Sequence, residues 1–189
     1  MLQAFWVSFA VIFVAELGDK SQLMALTFAT RYPTGVVLAG ITIATAIVHA
    51  ISVLVGAVLG AAIPTTPITV LAAIAFIGFG IWTLRGDTLT AEDEARAARG
   101  GRHALVAVGT VFFLAELGDK TMLATITLAT KEGVFGTWLG STIGMVAADA
   151  LAIVVGRQLG ARLPERAIRI GAAVSFFGFA AWLLWDAAR

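Results

Sequence analysis

The chain has 189 residues and no cysteine, two histidines, one tyrosine, four prolines, and charge on only 13% of its residues. The missing cysteines exclude disulfides, thiolate metal sites and thiol catalysis. Two histidines are too few for a histidine-rich metal centre. So little charge excludes an ordinary soluble domain, in which about a quarter of residues are charged. What is present is apolar: 59% of residues are hydrophobic and the mean hydropathy is +0.93, the composition of an integral membrane protein.

A hydrocarbon core about 30 Å thick needs roughly 20 apolar residues per helix. Six such runs occur, at 4–29, 35–61, 67–84, 104–129, 134–156 and 167–185, and they leave almost nothing for a soluble domain. The first run lacks a basic leader and carries Glu16 and Asp19 where a signal peptide is purely apolar, so it is expected to be a retained helix. With six spans, one face holds nine arginines: Arg31, Arg85, Arg96, Arg99, Arg102, Arg157, Arg162, Arg166 and Arg169. The other holds Lys131 and Arg189. The excess of positive charge on cytoplasmic loops therefore puts both termini on the non-cytoplasmic side of the plasma (inner) membrane.

Shifting the sequence by one hundred residues aligns it with itself without a gap. FVAELGDKSQL meets FLAELGDKTML, and Gly40/Gly140, Gly56/Gly156, Pro64/Pro164, Gly78-Phe79/Gly178-Phe179 and Trp82/Trp182 follow in register. The expected organisation is a first three-helix repeat over 1–86, a cytoplasmic linker over 87–103, and a second three-helix repeat over 104–189. An odd number of spans per unit makes the second repeat enter the bilayer in the opposite sense. The fold class is thus an all-α membrane protein of six transmembrane helices in two inverted repeats. Gly136, Gly140 and Gly144 carry the small-residue spacing that lets membrane helices approach closely. Pro64 and Pro164 are expected to end their helices, and Trp6, Trp82, Trp138, Trp182 and Trp185 to act as interfacial anchors.

Against this background two stretches stand out. AELGDKSQL at 15–23 and AELGDKTML at 115–123 each place a glutamate, an aspartate and a lysine mid-span. Each ionisable group at the bilayer centre costs at least about 2.5–3.5 kcal/mol, so these side chains must face inward. On a continuous helix Glu16 and Asp19 share a face, with Lys20 in reach of Glu16. The inverted plan lets Glu16, Asp19, Glu116 and Asp119 converge on one central pocket. Four carboxylates and two lysines sum to −4 + 2 = −2, which one divalent cation neutralises. Hard oxygen donors suit Ca²⁺, Mn²⁺ or Mg²⁺ better than copper or zinc. Ser21, Thr121 and Gln22 are secondary candidate ligands, with Thr42 and Thr142 weaker ones, and Gly18 and Gly118 favour a local unwinding that would free carbonyls. Lys20 and Lys120 are expected to pair with the acids and tune their charge. In the alternative, the glutamates and lysines are neutralising pairs and the aspartates are protonated interhelical donors.

His49 and Asp149 occupy equivalent positions near the centres of the second and fifth spans. Asp149 is a candidate further ligand, and both are candidates for a proton relay; His49 is equally readable as a satisfied interhelical hydrogen-bonder.

ELGDKS at 16–21 and ELGDKT at 116–121 resemble the doubled Glu-x-Gly-Asp-Lys/Arg-Ser/Thr signature of the GDT family of cation/proton exchangers, over essentially the whole chain. The resemblance implies exchange of Ca²⁺ or Mn²⁺ for protons, with manganese export associated with members of this size, and acidic motif positions at Glu16, Asp19, Glu116 and Asp119. The expected function is a secondary transporter that exchanges a divalent cation for protons by alternating access. Its partners are the metal ion as substrate, protons and the lipid bilayer; neither a cofactor nor a nucleic acid is expected. Two rivals remain: an exporter of a cationic organic solute such as a basic amino acid, and a non-transporting membrane scaffold. An enzyme is not expected, since no nucleophile with its base and no cofactor loop is present.

Overall fold

The structure is a computed structural model that describes residues 1–85, 104–159 and 165–188. The linker at 87–103 and Pro164 lie outside the described residues. Within them the chain forms eight helices: α1 Leu2–Glu16, α2 Lys20–Arg31, α3 Thr34–Ala62, α4 Thr65–Arg85, α5 Ala104–Glu116, α6 Lys120–Ala129, α7 Val134–Leu159 and α8 Glu165–Ala187. No strand occurs among the described residues.

Helices α3, α4, α7 and α8 are each long and apolar enough to cross a membrane, and α1 with α2 qualifies as one broken span bent by 75°. Helix α5, with 13 residues, is only about 20 Å long. The runs 4–29 and 104–129 are therefore not continuous helices, contrary to the sequence expectation. Gly18 and Gly118 take φ of 77° and 80°, a left-handed conformation that only glycine adopts cheaply. Asp19 and Asp119 then sit extended as the N-caps of α2 and α6, and the Asp19 carboxylate accepts from the Ser21 N–H at 3.3 Å. Pro64, between α3 and α4, ends its helix as expected.

The packing is reciprocal. Helix α1 lies along α7 and α5 along α3; α2 leans on α7 and α6 on α3; α3 meets α7, and α4 meets α8. Exchanging α1–α4 for α5–α8 maps the first four of these contacts onto one another in pairs and the last two onto themselves. Side chains obey the same exchange. Phe76 packs on Phe179 with centroids 4.7 Å apart and Phe79 on Phe176 at 6.0 Å. Thr45 Oγ1 lies 3.3 Å from the sulfur of Met145, the residue at its own position in the other repeat. Two contacts break the pattern among the described residues: α1 against α8 and α4 against α6, whose mirror images are weaker.

Glycines set the closest approach. A Cβ on Gly144 would lie 2.7 Å from the carbonyl oxygen of Phe9, and one on Gly140 would collide with that of Phe5, so α1 and α7 touch backbone to backbone. The exterior is hydrocarbon, with Ile47, Leu54, Val58, Leu71, Ile74 and Val174 exposed on the long helices. Trp6, Trp82, Trp182 and Trp185 are also outward. Trp138 is different, since its indole N–H donates to the Ala46 carbonyl at 2.9 Å and ties α7 to α3.

Gly140→Val is expected to destabilise the protein in detergent by an amount typical of overpacking, about 1–3 kcal/mol, read as a lower melting temperature. Gly35→Ala, where a Cβ meets nothing within 4 Å, is expected to leave stability within about 0.5 kcal/mol of wild type. Equal melting of the two variants would contradict the described α1–α7 contact.

Candidate metal centre

The helix breaks place the motif residues. In each repeat the first helix ends on a glutamate, Glu16 or Glu116, and the next begins after an aspartate cap, Asp19 or Asp119. All four acids are buried, at 0–4% exposure. Each glutamate is held by the hydroxyl five residues on: Ser21 Oγ donates to Glu16 Oε1, and Thr121 Oγ1 donates to Glu116 Oε2 at 3.0 Å. Ser21 and Thr121 are thus in direct contact with the acids, both fully buried.

The aspartates reach across the molecule. The Lys120 ammonium donates to Asp19 Oδ1, and the Lys20 ammonium lies 3.7 Å from Asp119 Oδ1. The sequence reading had Lys20 within reach of Glu16 along one helix. The 75° bend replaces that geometry, and each lysine instead serves the aspartate of the other repeat. The two pairs differ in exposure: the Lys20 side chain is 25% exposed and that of Lys120 3%.

Glu116 lies within electrostatic range of Glu16, Asp119 and Asp149, and Asp149 within range of Glu16. In this conformation no three acidic or histidine side chains among the described residues stand close enough together to coordinate an ion. Gln22 is occupied by structure: its Oε1 accepts from Gly18 N–H at 2.8 Å and its Nε2 donates to the Ala148 carbonyl at 3.0 Å. Met122 repeats the first role, its sulfur accepting from Gly118 N–H at 3.1 Å. Thr42 is exposed and bonded to the Leu38 carbonyl, which removes it from the site. Thr142 is buried.

His49 and Asp149 are both buried on the inner faces of α3 and α7. Neither histidine nitrogen and neither carboxylate oxygen of Asp149 has a hydrogen-bond partner among the described residues. The satisfied interhelical role for His49 is not observed. An apolar crevice of about 370 Å³ between α1 and α8 is lined by Val11, Val14, Ala15, Phe176 and Phe179, with one hydroxyl, Ser175, in its wall. It presents hydrocarbon rather than ligand oxygens, and none of the motif acids lines it.

These features define a polytopic helical membrane protein with two repeat-related acidic motifs buried at the centre of the bundle. The model of the family described as "Divalent cation/proton antiporter GDT1" matches residues 4–91 and 104–189, and the chain belongs to that family. It is 32% identical to a GDT1-like protein of Synechocystis over 98% of both chains. It is 31% identical to a Vibrio cholerae protein named "Putative manganese exporter" over 86% of this chain and 81% of that one, and 29% identical to GDT1-like protein 4 of Arabidopsis thaliana over 97% and 96%. No solved structure matches the chain.

Removing one partner of a buried ion pair costs about 3–5 kcal/mol, whereas a partly exposed pair contributes about 0–1 kcal/mol. Lys120→Met is therefore expected to destabilise the purified protein far more than Lys20→Met, and Asp19→Asn added to Lys120→Met to recover most of the loss. Thermal melts of the four proteins check this; equal losses for the two lysine variants would refute the difference between the pairs.

Proposed function

We propose that this protein exchanges a divalent cation, Mn²⁺ or Ca²⁺, for protons across the plasma membrane by alternating access, in the direction of cation export. The observation that carries the reading is the burial of Glu16, Asp19, Glu116 and Asp119 at two helix breaks that the repeat relates, joined by the crossed Lys120–Asp19 and Lys20–Asp119 pairs. An acid cluster inside hydrocarbon is unfavourable unless something positive visits it. Family membership supports divalent cations as the visitor.

The breaks add to the attraction. Helices α1 and α5 end at the glutamates, and the carbonyl end of a helix carries partial negative charge, so side chain and backbone both favour a cation there. In the conformation described, lysine ammonium groups occupy the place of that cation on both aspartates. Arrival of the ion from the cytoplasm displaces them, and after its release outside, protons and lysines again neutralise the carboxylates for the return. By formal charge, two protons per divalent ion preserve the balance. A static scaffold would leave its buried polar atoms bonded, yet Glu116 Oε1 has no hydrogen-bond partner among the described residues.

In this reading the six spans form two inverted repeats with both termini outside the cytoplasm and the 87–103 linker inside, and the broken helices α1–α2 and α5–α6 each count as one span. The reciprocal packing supports the twofold relation, and its departures support alternation. The α1–α8 and α4–α6 contacts have weaker mirror images, and Lys20 is more exposed than Lys120. Such unequal halves are what one of two exchangeable states looks like, with the looser Lys20–Asp119 pair on the side that opens first.

In proteoliposomes an imposed pH gradient is expected to drive Mn²⁺ or Ca²⁺ flux, with counterflow of protons. Glu16→Gln and Asp119→Asn, if folded, are expected to reduce the flux by a factor of about 100 or more, since even outer-shell partners of a metal are worth 10–100-fold. Wild-type rates in both variants would overturn the proposal.

A further inference from the structure

Register along α7 fixes the level of Asp149. Gly144 faces Phe9 and Phe13 of α1, Ala148 accepts the Gln22 side chain from the first turn of α2, and Gly156 faces Leu26 further along α2. Asp149 therefore stands opposite the break between α1 and α2, at the depth of Glu16 and Asp19. It lies on the same buried face of α7 as Met145, Ala148 and Ala152.

Its surroundings are the wrong ones for a structural carboxylate. Asp149 is fully buried, both its oxygens lack a hydrogen-bond partner among the described residues, and the charges it senses are those of Glu16 and Glu116. A buried acid that holds helices together needs a donor. An acid within electrostatic range of two others, with neither oxygen satisfied by a donor, suits a cation drawn in among them. The equivalent position of the other repeat carries His49, so the second copy of such a carboxylate is absent.

We propose that Asp149 is a fifth oxygen ligand of the transported cation, supplied by one repeat alone, which draws the ion off the relating axis towards the α1–α2 break. The inference rests on the exchanger reading and refines its site. With the four motif acids each giving one oxygen, bidentate binding by Asp149 would bring the carboxylate oxygens to about six, the number that Ca²⁺ or Mn²⁺ takes from oxygen-rich sites.

The test is cation-induced thermal stabilisation of purified full-length protein, with Mn²⁺ and Ca²⁺ titrated separately, for wild type, Asp149→Asn, Glu16→Gln and the surface control Asp186→Asn. Asp149→Asn is expected to melt without metal at or above the wild-type temperature, because a buried acid without a donor has been neutralised. Its apparent Kd for both ions is expected to rise tenfold or more, and Asp186→Asn is expected to match wild type. Wild-type affinity in Asp149→Asn, alongside lost affinity in Glu16→Gln, overturns this inference and leaves the exchanger reading standing. A fall in metal-free melting temperature with unchanged affinity makes Asp149 structural and also overturns it. If wild type binds neither ion, the exchanger reading itself fails and this inference with it.

Discussion

The exchange of ammonium and carboxylate between the two repeats is the constraint from which the rest of the structure follows. Lys120 reaches Asp19 and Lys20 reaches Asp119, and neither pair can form unless both helix breaks lie side by side in the bundle interior. Burying six ionisable groups in hydrocarbon without such pairing would cost on the order of 15 kcal/mol even on the lenient scale, more than a typical domain's whole stability. The glycine-lined approach of α1 to α7 and the aromatic cluster of Phe76, Phe79, Phe176 and Phe179 hold the breaks at that meeting point. Packing thus serves the electrostatics: small residues admit the backbones, and the backbones deliver the charges.

The break itself is a local event with long reach. A left-handed glycine between a glutamate and an aspartate turns two residues that would be neighbours on one helix face into the end of one helix and the cap of the next. Each acid then has its own support. The glutamate takes a hydroxyl from the following helix, Ser21 or Thr121, and the aspartate takes a lysine from the opposite repeat. Both glutamates thereby come within electrostatic range of Asp149.

Sequence alone revealed the duplication, the motif residues and their burial, because identical residues recur at a fixed offset and because charge in a greasy run has nowhere to go but inward. It also flagged Gly18 and Gly118 as weak points. The break falls at those glycines, but its 75° bend was not legible, since hydrophobic periodicity is silent in a run apolar on every face and α1 and α2 read as one span. The pairing of lysines was misassigned for the same reason: the i,i+4 rule holds only on a continuous helix. Gln22, a secondary candidate ligand, braces Gly18 and α7 through its amide, and the Trp138 indole bonds Ala46. The Gln22–Ala148 and Trp138–Ala46 bonds join residues about a hundred positions apart, which no local pattern encodes. Asp149 was placed at mid-span correctly, but its closeness to the glutamates of both repeats depends on α7 crossing the α1–α2 break.

Two identical halves related by a twofold axis would have two conformations of equal free energy, with neither facing preferred. The halves here are not identical where it matters. Gln22 corresponds to Met122, Thr45 to Met145 and His49 to Asp149 across the repeat relation, so the two halves differ in polarity at each of these positions. Gln22 ties its helix break to Ala148 through a hydrogen bond, for which the thioether of Met122 has no donor. A difference of about 1.4 kcal/mol between the two conformations already sets their populations at ten to one. On the exchanger reading, these differences between the halves decide on which side the empty protein waits. The motif acids, kept the same in both halves, present the same four carboxylates whichever way the site faces.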